Sequence, residues 1–156
     1  RSIVAALDLI GYSGGAIRLF PAPSSDRARR RRGGSHTATL AERAKELSPE
    51  LPLEVHDVLA AKRSRDQVGL GAIERAENAQ RTQYLDRRRI AEISEPRAVS
   101  GTGSASADVL IDDFSTTGAT LAESARLLAS VQIRPAVGAV LGLGRGGTRF
   151  VSPFTV

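Results

Sequence analysis

The sequence predicts an α/β domain, a mostly parallel sheet flanked by helices, and three observations carry that prediction. A strand–helix–strand succession fits residues 17–58, the length of a βαβ unit with a right-handed crossover. Val109-Leu110-Ile111 is a short apolar run with β-branched residues, the mark of a strand covered on both faces. A helical pattern at Leu121, Ala125 and Leu128 follows it, and then a further strand at 135–141.

Taken in order, residues 3–10 are apolar enough for a helix or a strand but show no clear period. Tyr12-Ser13-Gly14-Gly15 reads as a loop. Residues 17–20 form a short strand with Arg18 inside it, stopped by Pro21-Ala22-Pro23 before Ser24 and Ser25. Residues 27–32 are the densest charge run, read as solvated surface or a nucleic-acid contact. Thr39 with Glu42 makes a capping box, and Leu40, Ala44 and Leu47 mark one face of the helix that Pro49 and Pro52 close. Alternation over 53–58 gives the next strand. Residues 60–71 are a basic loop ending in glycines, and 72–80 have helical composition. Arg87-Arg88-Arg89 leads into a short strand near 90–93, and 100–106 is a low-complexity linker. The tail over 142–156 is Gly-rich and then irregular.

A chain of 156 residues suits a single domain over 1–156. Arg1 stands first and the sequence holds no methionine, which suggests a truncated N-terminus. An aromatic fraction of 4% means that aliphatic and alanine side chains fill the core. The absence of cysteine excludes disulfides and thiolate metal sites and is compatible with a cytoplasmic location. No run approaches the length of a membrane span, so no membrane partner is expected. The net charge of +5 is nearly all arginine, since Lys45 and Lys62 are the only lysines. Arginine's planar fork suits phosphate, in a small ligand or in a nucleic acid.

The chemistry concentrates in residues 109–121. Asp112 and Asp113 follow the apolar run where a core strand would stay apolar, and they are expected to end it. Ser115, Thr116, Thr117, Gly118, Ala119 and Thr120 then give a small, hydroxyl-rich turn directly before a helix. Strand, polar turn and helix N-terminus together make an anion site, because backbone N–H groups and the helix dipole point at the turn. The alternative is an Asp pair acting only as a cap, with Ser and Thr as ordinary turn formers.

This stretch resembles the phosphoribosyl-pyrophosphate (PRPP) motif of type I phosphoribosyltransferases. Pro21-Ala22-Pro23-Ser24-Ser25, Arg32-Gly33 before a helix, the basic loop 62–70, then Arg75 and Asn78, precede it in one order. That order resembles the ComF (competence protein F) family of phosphoribosyltransferase-like proteins. The resemblance covers residues 17–145. It departs at Gly34-Ser35, where the family has Phe-Asn, and at Asp66-Gln67-Val68, where the family has prolines.

The resemblance implies the type I phosphoribosyltransferase fold and transfer of phosphoribosyl from PRPP to a nitrogen acceptor, with release of pyrophosphate. It implies that Asp112 and Asp113 are the catalytic pair on the ribose hydroxyls. Ser115, Thr116, Thr117, Gly118, Ala119 and Thr120 would cradle the 5′-phosphate, and Ser24 and Ser25 would lie on the pyrophosphate side. Arg63 and Arg65 would belong to a mobile lid within 60–71. Mg²⁺ would be held through PRPP rather than directly by the protein, with Asp112 and Asp113 as the candidate protein contacts. The family also suggests a homodimer and a link to nucleotide metabolism or to DNA uptake. Two alternatives stay open: a non-catalytic competence module binding single-stranded DNA or protein partners, and a purine or orotate phosphoribosyltransferase.

Three other patterns carry less. Gly142-Leu143-Gly144-Arg145-Gly146-Gly147 fits a dinucleotide-binding fingerprint, but Pro153 stops a following helix and no ribose-binding acid comes after it. His36 and His56 are far apart in sequence and read as ordinary surface or core residues. Ser24, His56 and Asp57 lack the nucleophile elbow that would make a hydrolase triad of them.

Overall fold

The structure, a computed structural model, describes residues 2–23, 35–62, 82–93, 106–115 and 117–143. Its elements are α1 (Ser2–Leu9), β1 (Ile17–Pro21), α2 (His36–Leu47), β2 (Leu53–Val55), β3 (Leu59–Ala61), β4 (Gln83–Leu85), α3 (Arg87–Ile90), β5 (Ala107–Ser115), α4 (Ala119–Ala129) and β6 (Val137–Leu143). The main sheet runs β2-β1-β5-β6 and every pairing in it is parallel. β3 and β4 pair antiparallel as a separate ribbon. The α/β class with a parallel sheet between helices is therefore observed, and β1–α2–β2 is the expected βαβ unit. Among the described residues no helix is long and apolar enough to cross a membrane.

Alternation along the strands divides the interior into two cores. Ile17, Leu19, Val109 and Ile111 pack with Ala6 and Leu7 of α1 and Ala41 of α2 on one face. Phe20 and Leu110 pack with Leu121, Ala125 and Leu128 of α4 on the other. Because both faces are covered, residues 107–112 of β5 are all buried. On the α4 side, Arg18 and Asp108 sit directly opposite each other in the β1–β5 ladder. The Arg18 guanidinium donates twice to the Asp108 carboxylate, at 2.7 and 2.8 Å, and both residues are buried.

Several expectations are corrected. β5 does not stop at the Asp pair but continues to Ser115, because β6 keeps pairing alongside it through Asp112↔Val140, Phe114↔Gly142 and Ser115↔Leu143. The same pairing carries β6 to Leu143, beyond the expected end at 141, so Gly142 is strand rather than tail. Residues 3–10, left between helix and strand, contribute the helix α1.

α2 starts a turn earlier than the Thr39–Glu42 capping box suggests. Ser35 is the cap, extended in backbone, and its hydroxyl accepts from Ala38 N–H at 3.4 Å. The Thr39 hydroxyl instead donates to Ser35 O at 3.0 Å. The buried residues of α2 are Thr37 and Ala41. Leu40 and Ala44 are half-buried, whereas Leu47 is 66% exposed. At about 100° per residue Leu47 lies roughly 120° round the helix from Ala41.

The strand expected over 53–58 ends at Val55, and the chain then turns into β3, so Ala60 and Ala61 are strand rather than lid loop. Arg87-Arg88-Arg89 opens the short helix α3, capped by the Asp86 side chain, instead of leading into a strand at 90–93. The Arg-rich run 27–32, the loop beyond residue 62, the helix expected at 72–80, the linker up to 105 and the tail beyond 143 lie outside the described residues.

Candidate functional site

The topology supplies a crevice before any side chain is considered. From β1 the chain crosses one face of the sheet through α2 to reach β2 on one side. From β5 it crosses the opposite face through α4 to reach β6 on the other side. β1 and β5 are neighbours, so the two connections diverge from their carboxyl ends. Open α/β sheets bind ligands at such a switch point.

Both helices that start there are fixed in place. The Thr37 hydroxyl donates to Ala22 O at 2.6 Å, tying the first turn of α2 to the residue after β1, and lies 3.0 Å from the Ser35 hydroxyl. α4 begins at Ala119 after Gly118, whose φ of 74° lies in the left-handed region that glycine adopts most readily. No side chain caps α4 through Gly118, and Ala119 N–H is 3.4 Å from the Thr117 hydroxyl. Thr117 is exposed, and Gly118, Ala119 and Thr120 are half-buried, so the amide-rich first turn of this helix meets solvent at the crevice.

The carboxylates occupy the end of β5 between these helices. Alternation places Asp112 with Leu110 on the α4 face and Asp113 with Ile111 on the α2 face. Asp112 is buried and its Oδ1 accepts Asp113 N–H at 2.9 Å. Burial, and then the charge of Asp113, push the Asp112 carboxyl from 3.8 up to about 7, while the Asp113 N–H pulls the other way. Asp113 is half-exposed, with its Oδ2 3.9 Å from His36 Nε2. Ser115 closes the strand and is buried. Phe114, between Asp113 and Ser115, is 55% exposed and lies against Gly142 of β6, where a Cβ would stand 2.8 Å from its ring.

The structure thus brings together Asp112, Asp113, Ser115, Thr117, Gly118, Ala119 and Thr120 at one end of the sheet. Ser24, Ser25, Arg63, Arg65 and Thr116 lie outside the described residues. One residue read as ordinary surface or core lies beside the carboxylates: His36, the first residue of α2, faces Asp113. The sequence signal for it was the position directly after a Ser with N-cap character. His56 is stacked on Phe20 at 5.5 Å between ring centroids and lies 3.4 Å from Glu54. Asp57 accepts from Arg89 at 2.6 Å, which gives the discarded triad's acid a different partner. Among the described residues no group of three or more His, Asp or Glu is placed to hold a metal ion.

No family model matches this sequence, and no curated protein matches it.

Proposed function

We propose that this chain is a type I phosphoribosyltransferase-like domain of the ComF type, which binds PRPP in the crevice between β1 and β5. One observation carries the reading: the stretch resembling the PRPP motif is a strand, a carboxylate pair and a helix N-terminus opened by Gly118 at the switch point of a parallel sheet. In this reading Thr117, Thr120 and the first-turn N–H groups of α4 take the 5′-phosphate. Asp112 and Asp113 hold the ribose hydroxyls from the two sides of β5. The donor set, two adjacent carboxylates of hard oxygen, fits a Mg²⁺ that is held mainly by substrate phosphates. When bound, that ion supplies charge neutralisation for the departing pyrophosphate.

The transfer breaks the bond from the anomeric carbon to the pyrophosphate oxygen and forms a bond from that carbon to the acceptor nitrogen. The proton lost by the nitrogen leaves with pyrophosphate. The Asp pair holds the ribose beneath the positive charge that builds at the anomeric carbon, and the α4 amides fix its far end. Calorimetric titration of PRPP with Mg²⁺ tests the proposal. Wild type is expected to bind, and Asp112→Asn/Asp113→Asn to lose binding while staying folded. A folded wild type that binds no PRPP would overturn the reading. A screen of purines, orotate and other nitrogen acceptors for pyrophosphate release then identifies the second substrate.

A second reading, a non-catalytic module that binds single-stranded DNA, has one observation in its favour. Tyr84 on β4 is exposed with Lys62 Nζ 5.9 Å from its ring centroid, and the Arg87 and Arg88 side chains are exposed on the adjoining α3. Steep salt dependence of oligonucleotide binding, with loss on Tyr84→Ala, is its signature.

A further inference from the structure

Resting on that reading of the crevice, we infer that His36 is a ligand-binding residue which, with Asp113, clamps one sugar hydroxyl between the two halves of the fold. His36 Nε2 and Asp113 Oδ2 are 3.9 Å apart, with side chains 43% and 47% exposed. That separation is too long for a direct hydrogen bond. Two ordinary hydrogen bonds of about 2.8 Å meeting at one oxygen span it. A hydroxyl seated there accepts from the imidazole N–H and donates to the carboxylate, using both of its capacities.

Other ligand groups suit the gap less well. A phosphate oxygen would satisfy the imidazole but set a negative charge against Asp113. A hard divalent cation would satisfy the carboxylate but prefers oxygen to imidazole. With its proton on Nε2, the imidazole faces the carboxylate as donor to acceptor, and a neutral group that is both matches the gap.

The geometry is held from behind on each side. His36 is the first residue of α2, which is pinned by the Ser35 cap and by the bond from Thr37 to Ala22 O. Asp113 sits within β5, held by the pairing of its neighbours Asp112 and Phe114 with β6. The clamp therefore places the ligand between the start of α2 and the end of β5. It also divides labour between the carboxylates: Asp113 works with a donor opposite, while Asp112 works from the buried face.

The chain has two histidines, His36 beside Asp113 and His56 stacked on Phe20. Imidazole nitrogens therefore give a site-specific NMR reporter with an internal control. Uniformly ¹⁵N-labelled full chain would be titrated with ribose 5-phosphate and, separately, with inorganic phosphate. Both probes are expected to shift the backbone amides of residues 117–120. Only ribose 5-phosphate is expected to shift the His36 imidazole, with His56 unchanged.

His36→Ala is expected to weaken ribose 5-phosphate about tenfold without changing inorganic phosphate affinity. His36→Gln, which keeps an N–H donor at similar reach, is expected to restore affinity to within about threefold. Ribose 5-phosphate that shifts the α4 amides, but neither moves the His36 imidazole nor binds His36→Ala more weakly, would refute the clamp and leave the phosphate site standing. Inorganic phosphate that moves His36 as far as ribose 5-phosphate does would make it an anion ligand and also refute the clamp. Amides of 117–120 that respond to neither probe would remove the reading of the crevice and the clamp together.

Discussion

Asp112→Asn is expected to remove a fall in stability that the wild-type protein shows as pH rises toward neutrality and beyond. Unfolded, this carboxyl ionises at its ordinary 3.8; folded, its burial and the neighbouring Asp113 hold it to about 7. Between those values the folded protein keeps a proton that the unfolded chain has released. Raising pH through that window therefore favours unfolding. The penalty is absent below about pH 4 and fully present above about pH 7. Each tenfold change in acidity is worth about 1.4 kcal/mol, so the whole interval amounts to roughly 4 kcal/mol.

An asparagine keeps the oxygen that accepts Asp113 N–H and has nothing to ionise. Urea denaturation followed by circular dichroism, at steps from about pH 4 to about pH 8, compares the two proteins. The variant is expected to match wild type at the acid end and to exceed it by up to roughly 4 kcal/mol at the other. Asp113→Asn, which removes the second cause of the shift, is expected to make the wild-type slope shallower. Parallel pH profiles for wild type and Asp112→Asn would refute the argument.

Three further outcomes follow from packing and backbone geometry. Arg18→Met leaves the buried Asp108 carboxylate without its bidentate donor and is expected to destabilise by about 3–5 kcal/mol, whereas Arg18→Leu with Asp108→Leu recovers most of the loss; denaturant midpoints decide it. Gly118→Ala is expected to lower stability by about 1–2 kcal/mol from its left-handed φ alone, because nothing lies within 4 Å of the new Cβ; thermal unfolding shows whether the loss is larger. Gly142→Ala drives a Cβ to 2.8 Å from the Phe114 ring and is expected to cost about 1 kcal/mol in wild type but nothing in a Phe114→Ala background; a double-mutant cycle with additive losses would contradict that contact.

What was legible in the sequence follows from how locally each feature is determined. β5 and α4 were readable because a strand covered on both faces needs an unbroken apolar run, and an amphipathic helix needs its stripe. Val109 to Ile111 and Leu121, Ala125 and Leu128 supply both. The carboxylate pair and the turn before α4 were readable as an ordered string. The true end of β5 was not, since Asp112 to Ser115 remain strand only through pairing with β6, a tertiary event.

The Thr39–Glu42 pattern placed the start of α2 a turn too late. Ser35 prevails, and the bond from Thr37 to Ala22 O holds the turn it opens in place. β3 and β4 have three residues each, too few to show a period, and the arginines of α3 mask a helix whose cap is Asp86. His36 escaped notice because its meaning lies in Asp113, far away along the chain and adjacent only once β1 and β5 pair.

The placing of Arg18 and Asp108 bears on how this protein tolerates change. The ion pair grips the amino-terminal half of β1 and β5, whereas Asp112 and Asp113 stand four and five residues along β5 from Asp108, at least about 13 Å on. One pair of strands thus carries its buried electrostatic anchor and its solvent-open carboxylate at opposite ends. Substitutions at the crevice leave the anchor intact, so the residues there can change without breaking the buried ion pair. The converse does not hold: a lesion at Arg18 weakens the strand pair on which the crevice is built.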